Sequence, residues 1–483
     1  MKGEHFMVKK QTKIVATISD LMCDVGHIKS LYEAGVNVVR LNTAHQKEED
    51  TLKVIQSVRA VSDKIALLLD TKGPEVRTAN LEAPLEVTEG ETIRIYKDTV
   101  PAGARGFQTN YDGFVKEVAV GARVLIDDGE TGLIVTNKTD SYLELKVGNS
   151  GKIKNRKSIN APGTALTLPS ITDKDRAYIK FAAENDLDFV AHSFVRHKQD
   201  VLDVQAILDQ HGSKAKIIAK IENMEGVQNI DEILDVAYGV MVARGDLGIE
   251  VPAEEVPVYQ KMMIRKCIAR AKPVITATQM LHTMIENPRP TRAEVSDVAN
   301  AIFDGTDAVM LSGETAYGKY PLESVQTMAR IANQIEKVKE KVRPQGAYAT
   351  DNPIRDYLAQ AAIQAIDDLP VRAVVCDSLT GRSARIISTY RADVPLYVKA
   401  HNPRVVRQLA LSYGVYPEYL ELPKTTNELI VQSLQSLLKE GELKKEDLIV
   451  ILAGSPGHQD SGSNILEINT VERSLKGRLE GYC

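Results

Sequence analysis

Several familiar features are scarce or missing in this chain. Only four cysteines occur in 483 residues, at Cys23, Cys267, Cys376 and Cys483. They are far apart and form no metal-type pair, so neither a cysteine zinc site nor a disulfide framework is implied. Reduced cysteines fit a cytoplasmic setting. No apolar run approaches the roughly 20 residues that span a bilayer, so no membrane partner is expected. The start, Met1-Lys2-Gly3-Glu4-His5-Phe6, lacks the apolar core of a signal peptide. No short internal repeat or low-complexity tract is present. Charge of one sign is not in excess either: 60 basic and 65 acidic residues give a net charge of −5. That balance disfavours nucleic acid as the main partner. An anionic substrate would have to be drawn by local positive charge. Tryptophan is absent, and nothing follows from it.

What is present is ordinary for a globular protein, 43% apolar and 26% charged residues. The length suits two to four domains. Short apolar runs alternate with helical stretches. Runs at Lys13–Thr17, Val36–Asn42 and Lys64–Asp70 open the chain. After an interruption, Asp188–Ser193, Ile217–Asn223, Val240–Asp246, Lys272–Thr278 and Asp307–Glu314 follow. Eight such runs with intervening helices predict a parallel (β/α)8 barrel. The interruption, about Arg77 to Lys157, carries short β-rich runs, turn signals and no good helix. It reads as an inserted all-β domain after strand three. The last region predicts a small open α/β domain with strands near 372–376, 394–398, 447–452 and 465–468. The expected division is a barrel of residues 1–74 and 158–342, an inserted β lid of 75–157, and a C-terminal domain of 343–483.

The polar residues fall where the strands end. Arg40 and Asn42 close strand two, Asp70 and Lys72 strand three, and Ser193 strand four. Lys220 and Glu222 close strand five, Arg244 and Asp246 strand six, Thr278 strand seven, and Ser312 and Glu314 strand eight. The C-terminal rim of such barrels carries the chemistry, and a scatter of structural ion pairs has no reason to select one rim. Strand alternation would place Lys220 with Glu222, and Arg244 with Asp246, each pair on one face. Glu222 and Asp246 are hard oxygen ligands suited to Mg²⁺ or Mn²⁺, leaving positions for water and substrate. Lys220 could neutralise a phosphoryl group in transit, or simply pair with Glu222. Arg40 has the fork geometry for phosphate, or could pair with Asp70. Thr278 could orient a carboxylate or a proton-donating water, or cap a helix. His45 and Lys72 lie at the same mouth. In the last region, Asp377-Ser378-Leu379-Thr380-Gly381-Arg382-Ser383 opens a helix after a strand and suits a phosphate. The loop from Gly454 to Ser463 could form another wall.

Six stretches then resemble the pyruvate kinase family. They are Asp70-Thr71-Lys72-Gly73-Pro74-Glu75, Lys216 to Gly226, Met241 to Gly248, Thr276-Ala277-Thr278-Gln279-Met280-Leu281, Pro288 to Glu294 and Leu311-Ser312-Gly313-Glu314-Thr315-Ala316. The resemblance implies phosphoryl transfer from phosphoenolpyruvate to ADP, giving pyruvate and ATP, in a cytoplasmic homotetramer. Carried over, Lys220 stabilises the moving phosphoryl and Arg40 holds the phosphate. Glu222 and Asp246 take Mg²⁺. Gly245, Asp246, Thr278 and Ser193 meet the substrate. Ser312 and Glu314 support proton delivery near Thr278. Arg40, His45, Arg77 and Lys157 meet the nucleotide, with Asp127 and Asp128 on the closing lid. Ser378, Thr380, Gly381, Arg382 and Ser383 would hold a sugar-phosphate or nucleotide effector.

Two departures stand out. Ala44 replaces a family serine that ligates K⁺, while Asn42, Asp70, Thr71 and Glu75 fit the K⁺-dependent members. Weakened K⁺ binding is expected. Ser19-Asp20-Leu21-Met22 replaces the loop that borders the nucleotide base. These departures keep open an alternative, a regulatory or phosphometabolite-binding paralogue with reduced turnover.

Overall fold

The computed structural model describes residues 9–44, 46–340, 352–454 and 463–479. Eight parallel strands close into a barrel: β1 (Lys13–Thr17), β2 (Val38–Asn42), β3 (Ala66–Asp70), β4 (Phe189–His192), β5 (Lys216–Ile221), β6 (Gly239–Ala243), β7 (Val274–Ala277) and β8 (Ala308–Leu311). The ring runs β1-β8-β7-β6-β5-β4-β3-β2 and returns to β1. Alternation fills it. Val15, Leu68, Ile218, Met241 and Met310 form an inner cluster, and their sequence neighbours face the helical layer. The fold is the expected (β/α)8 barrel.

Several local expectations need correction. The sixth strand ends at Ala243, and Arg244–Glu250 is a helix. Arg244 and Asp246 therefore do not share a strand face, because two helical residues are about 200° apart. The eighth strand ends at Leu311, and Gly313–Ala316 is a helical turn. The insertion after β3 is a seven-stranded sheet with a two-stranded one beside it. It contains a short helix, Phe114–Glu117. Phe114 and Val115 enter the apolar core there, so tertiary burial fixes a turn too short to show periodicity.

The C-terminal sheet has five strands among the described residues: β9 (Val371–Ser378), β10 (Leu396–Ala400), β11 (Val415–Tyr419), β12 (Leu448–Ala453) and β13 (Ile465–Thr470). Their order is β11-β10-β9-β12-β13, with β13 antiparallel. Strand β11 escapes the sequence reading because Pro417 sits in its middle. A proline removes one ladder donor, which is tolerated at a sheet edge, and β11 is an edge.

The first strand is fastened to the last third of the chain. The buried Lys13 ammonium donates to the Val415 carbonyl at 2.5 Å. The Gln11 and Thr12 amides donate to Glu336 at 2.8 and 2.7 Å, and Gly414 N–H donates to Gln11 O at 2.9 Å. No helix among the described residues is long and apolar enough to cross a membrane.

Candidate active site

Strand β5 sends Ile218 into the barrel and, one pleat on, Lys220 into the rim. The Lys220 ammonium lies 2.6 Å from Ser193 Oγ, 2.9 Å from Glu222 Oε1 and 3.0 Å from Asp70 Oδ1. Burial works against its charge, but Asp70 and Glu222 outweigh burial and raise its pKa. Asp70 is buried and also accepts from Arg40 Nε at 2.5 Å. Burial would lift the Asp70 carboxyl, and Arg40 and Lys220 instead hold it below the ordinary range. Arg40 also donates to Thr17 Oγ1 at 3.0 Å. Two cations and two carboxylates from strands two, three and five thus meet, with Ser193 from strand four. Both structural ion pairs, Lys220 with Glu222 and Arg40 with Asp70, are present and form part of this one cluster.

Arg244 is not in it. Its guanidinium donates to Asp297 at 2.7 Å, Thr278 O at 2.7 Å and Ala277 O at 3.3 Å, bracing the end of β7. Asp246, on the new helix, faces Glu222. Burial first, and then the Glu222 charge, push its carboxyl up to about 7, with Lys220 opposing. A buried carboxylate, Glu222, facing the part-buried Asp246, whose proton affinity it raises, forms a donor set that a divalent cation would relieve. Among the described residues no group of three or more His, Cys, Asp or Glu side chains has metal-site geometry. Further ligands to a cation on Glu222 and Asp246 would come from water or substrate.

Thr278 adopts φ 69°, and Gln279 follows at 53°. A β-branched residue in the left-handed region is strained, and such strain clusters at functional sites. The strain is held by Gly245 N–H, which donates to Thr278 Oγ1 at 2.7 Å, and by Thr278 Oγ1 donating to Ala277 O at 2.6 Å. Glu314 is buried and accepts the amides of Ser312 at 2.7 Å and Leu281 at 3.1 Å. It ties the β7 and β8 loops together.

The monovalent-cation candidates lie beside this cluster. Asn42 Oδ1 accepts from Ala44 N at 3.1 Å, and Thr71 Oγ1 accepts from Ser193 N at 3.1 Å. His45 lies outside the described residues. Arg77 and Lys157 pair with carboxylates of the linker and lid, Glu75 at 2.5 Å and Asp127 at 2.8 Å. A cleft of about 350 Å³ between barrel and inserted sheet is lined by Glu75, Asp128, Phe194 and Asp246, among others. The altered first loop forms a short turn, Asp20–Met22, and the Ser19 hydroxyl donates to Ala316 O.

In the C-terminal sheet, Gly381 adopts φ 79° as N-cap of Arg382–Thr389, and its amide donates to Ser378 Oγ at 2.8 Å. Ser383 Oγ meets Ser463 Oγ at 3.1 Å. Thr380 O lies 3.4 Å from Arg385 Nη1. Most of the second wall, residues 455–462, lies outside the described residues.

Sequence reasoning missed Phe194 and Asp175. Phe194 has φ 55°, and its amide donates to Glu222 Oε2 at 2.6 Å. No residue-type signal marks a phenylalanine used for its backbone.

Comparison with known proteins agrees with this geometry. Residues 9–325 match the pyruvate kinase barrel domain, and residues 356–469 match the pyruvate kinase alpha/beta domain. A pyruvate kinase of Borreliella burgdorferi is 54% identical over 98% of this chain and 100% of its own length. One from Geobacillus stearothermophilus is 43% identical over 97% of this chain and 81% of its own. The crystal structure of a pyruvate kinase from Cryptosporidium parvum superposes with a TM-score of 0.89 at 35% identity, covering 96% of each chain. With both domains matched in order and the rim assembled, the chain belongs to the pyruvate kinase family.

Proposed function

We propose that the rim built around Lys220 transfers the phosphoryl group of phosphoenolpyruvate to ADP, the last step of glycolysis. The chain is a phosphotransferase. The observation that carries the reading is the meeting of Lys220 with Ser193, Asp70 and Glu222 at the closed barrel's C-terminal mouth. In the reaction the bond from phosphorus to the enol oxygen breaks, and one to a terminal oxygen of ADP forms. Lys220 and Arg40 neutralise the phosphoryl oxygens in flight. Mg²⁺ or Mn²⁺ on Glu222 and Asp246, when bound, supplies further positive charge to substrate oxygens. The Gly245 amide, Asp246 and Thr278 orient the substrate carboxylate. The enolate left behind takes a proton at its methylene carbon from water near Thr278. Ser312 takes part there, and Glu314 supports it by holding the Ser312 and Leu281 amides.

The nucleotide is met by Arg40, His45, Arg77 and Lys157, the last two released from Glu75 and Asp127 as the lid closes. K⁺ would sit with Asn42, Asp70 and Thr71, weakened by Ala44. Ser378, Thr380, Gly381, Arg382 and Ser383 would hold a sugar phosphate or nucleotide effector. Division of the chain at 75, 158 and 343, a cytoplasmic homotetramer and these residue roles complete the reading. Retention of Lys220, Arg40, Glu222, Asp246 and Thr278 favours turnover over the regulatory alternative. The deciding assay is pyruvate formation from phosphoenolpyruvate, ADP and Mg²⁺, with and without K⁺. No turnover in either condition would sink it. A nucleotide panel in the same assay tests the Ser19–Met22 loop.

A further inference from the structure

The chain leaves the barrel for the inserted domain through Thr71-Lys72-Gly73, and this linker is gripped from two sides. On one side stands Asp175, in the first turn of the helix Asp173–Glu184 and 0% exposed. Its Oδ1 accepts the amides of Lys72 at 3.0 Å and Gly73 at 3.2 Å. Its Oδ2 accepts from Thr172 N at 3.1 Å and Thr172 Oγ1 at 2.6 Å. A buried carboxylate satisfied by N–H and O–H donors, with no ion pair to a lysine or arginine among the described residues, is costly to perturb.

On the other side stand Ser193 and Phe194. Ser193 Oγ donates to Thr71 O at 2.6 Å, and Ser193 N donates to Thr71 Oγ1 at 3.1 Å. Gly73 has φ 73°, and a Cβ there would lie 2.7 Å from Phe194 Cδ2 and 2.8 Å from Ser193 Cβ. The linker backbone is therefore seated directly on these two residues. Both lead to the reacting groups. Ser193 Oγ accepts from Lys220 Nζ at 2.6 Å, and the Phe194 amide donates to Glu222 Oε2 at 2.6 Å. Phe194 sits at a φ of 55° that costs energy unless its surroundings impose it.

We propose that Asp175 is a positioning residue for phosphoryl transfer. It fixes Lys72-Gly73 against Ser193 and Phe194, and so fixes Lys220 and Glu222 for the reaction. Asp175 touches no substrate in this scheme. Its effect arises because the linker to the lid and the support of the metal carboxylate are one packed unit. The proposal rests on the functional reading above for the identity of the reaction, but not for the geometry.

The test compares Asp175→Ala, Asp175→Asn and Thr172→Ala in the full chain. Thr172→Ala removes the helix-capping hydroxyl and leaves both linker amides their acceptor. Three readouts apply besides thermal stability: kcat against KM for phosphoenolpyruvate, Mn²⁺ affinity by water-proton relaxation, and amide hydrogen exchange of peptides covering 71–76. Asp175→Ala is expected to lower kcat and Mn²⁺ affinity each by about 10- to 100-fold, the usual span for residues that orient a metal ligand. KM should change far less, and exchange across 71–76 should quicken. Asp175→Asn should fall between, since its amide turns a donor towards N–H groups. Thr172→Ala should lower stability while keeping kcat and Mn²⁺ affinity. Wild-type kcat and Mn²⁺ affinity in a folded Asp175→Ala would overturn the proposal. So would a Thr172→Ala loss of kcat equal to that of Asp175→Ala, which would reduce the effect to helix stability. If Asp175→Ala does not fold, Asp175→Asn decides by the same criteria. A wild-type protein without turnover would overturn the functional reading alone, because Mn²⁺ affinity and exchange still judge Asp175.

Discussion

The barrel rim and the edge formed by the carboxyl ends of the C-terminal strands use the same grammar and produce different objects. Each places polar residues where parallel strands end and helices begin. At the rim, strand closure aims side chains from facing strands at one axis, so Lys220 is surrounded by Asp70, Glu222 and Ser193. At the open edge the strands lie side by side, and no opposite strand faces them. There Ser378 turns back to its own loop amide, and Ser383 meets a neighbouring serine. Closure concentrates charge on one axis, whereas the open edge leaves hydroxyls and amides bonded to their own neighbours.

The sharpest way to break the comparison is to remove the charge at the centre. Lys220→Met should lower kcat about 10³-fold, the scale of losing one preorganised electrostatic contact to the reacting group. It should also cost about 3 kcal/mol in denaturant unfolding of the metal-free protein, because Asp70 and Glu222 lose their shared cation. A smaller change sharpens the rim's edge. Ala44→Ser restores a hydroxyl beside Asn42 and should tighten the apparent K⁺ constant about fivefold, near 1 kcal/mol. Equal rates with and without K⁺ in both proteins would remove a monovalent site from the rim. On the open edge, Ser378→Ala should weaken binding of a phosphorylated sugar by a few-fold, measured calorimetrically, since one loop hydrogen bond is worth about 1 kcal/mol.

The smallest effect is set by pH. His401 Nε2 lies 3.7 Å from Asp377 Oδ2, and its Nδ1–H donates to Leu420 O at 2.8 Å. Burial disfavours its charge, but Asp377 and the Leu420 carbonyl raise its pKa above the ordinary 6.5. A raised folded-state value means the contribution is full below pH 6.5 and fades as pH rises through the folded value. Thermal unfolding should therefore show a slight loss upward from pH 6.5, flattened in His401→Asn. An unchanged slope in that variant would discard the pair as a source of stability.

The sequence made the rim legible because strands advertise their ends through a change from apolar to polar residues. The rim ends of the eight strands and Lys220 with Glu222 followed from that signal, and the insertion followed from its β-rich runs and turn signals. Arg244 and Asp246 misled because a strand that stops three residues early, at Ala243 and not Asp246, converts a shared face into opposite directions. Phe194 and Asp175 were invisible for another reason. One acts through its amide and the other through amides distant in sequence, and neither leaves a compositional trace. Thr278 was legible as a rim hydroxyl with helix capping as its alternative role, but its left-handed backbone is a property of the assembled rim alone.

The fastening of the first strand has a consequence in time. Lys13 and Val415 are 402 positions apart. At roughly 5–20 residues per second, a ribosome needs roughly 20–80 s to travel that distance. Through that interval the opening strand has no final acceptor for its ammonium, and β8, which flanks it in the ring, is itself some 300 residues away. Barrel closure is thus a late event of synthesis, and the opening strand waits longest for its final partners.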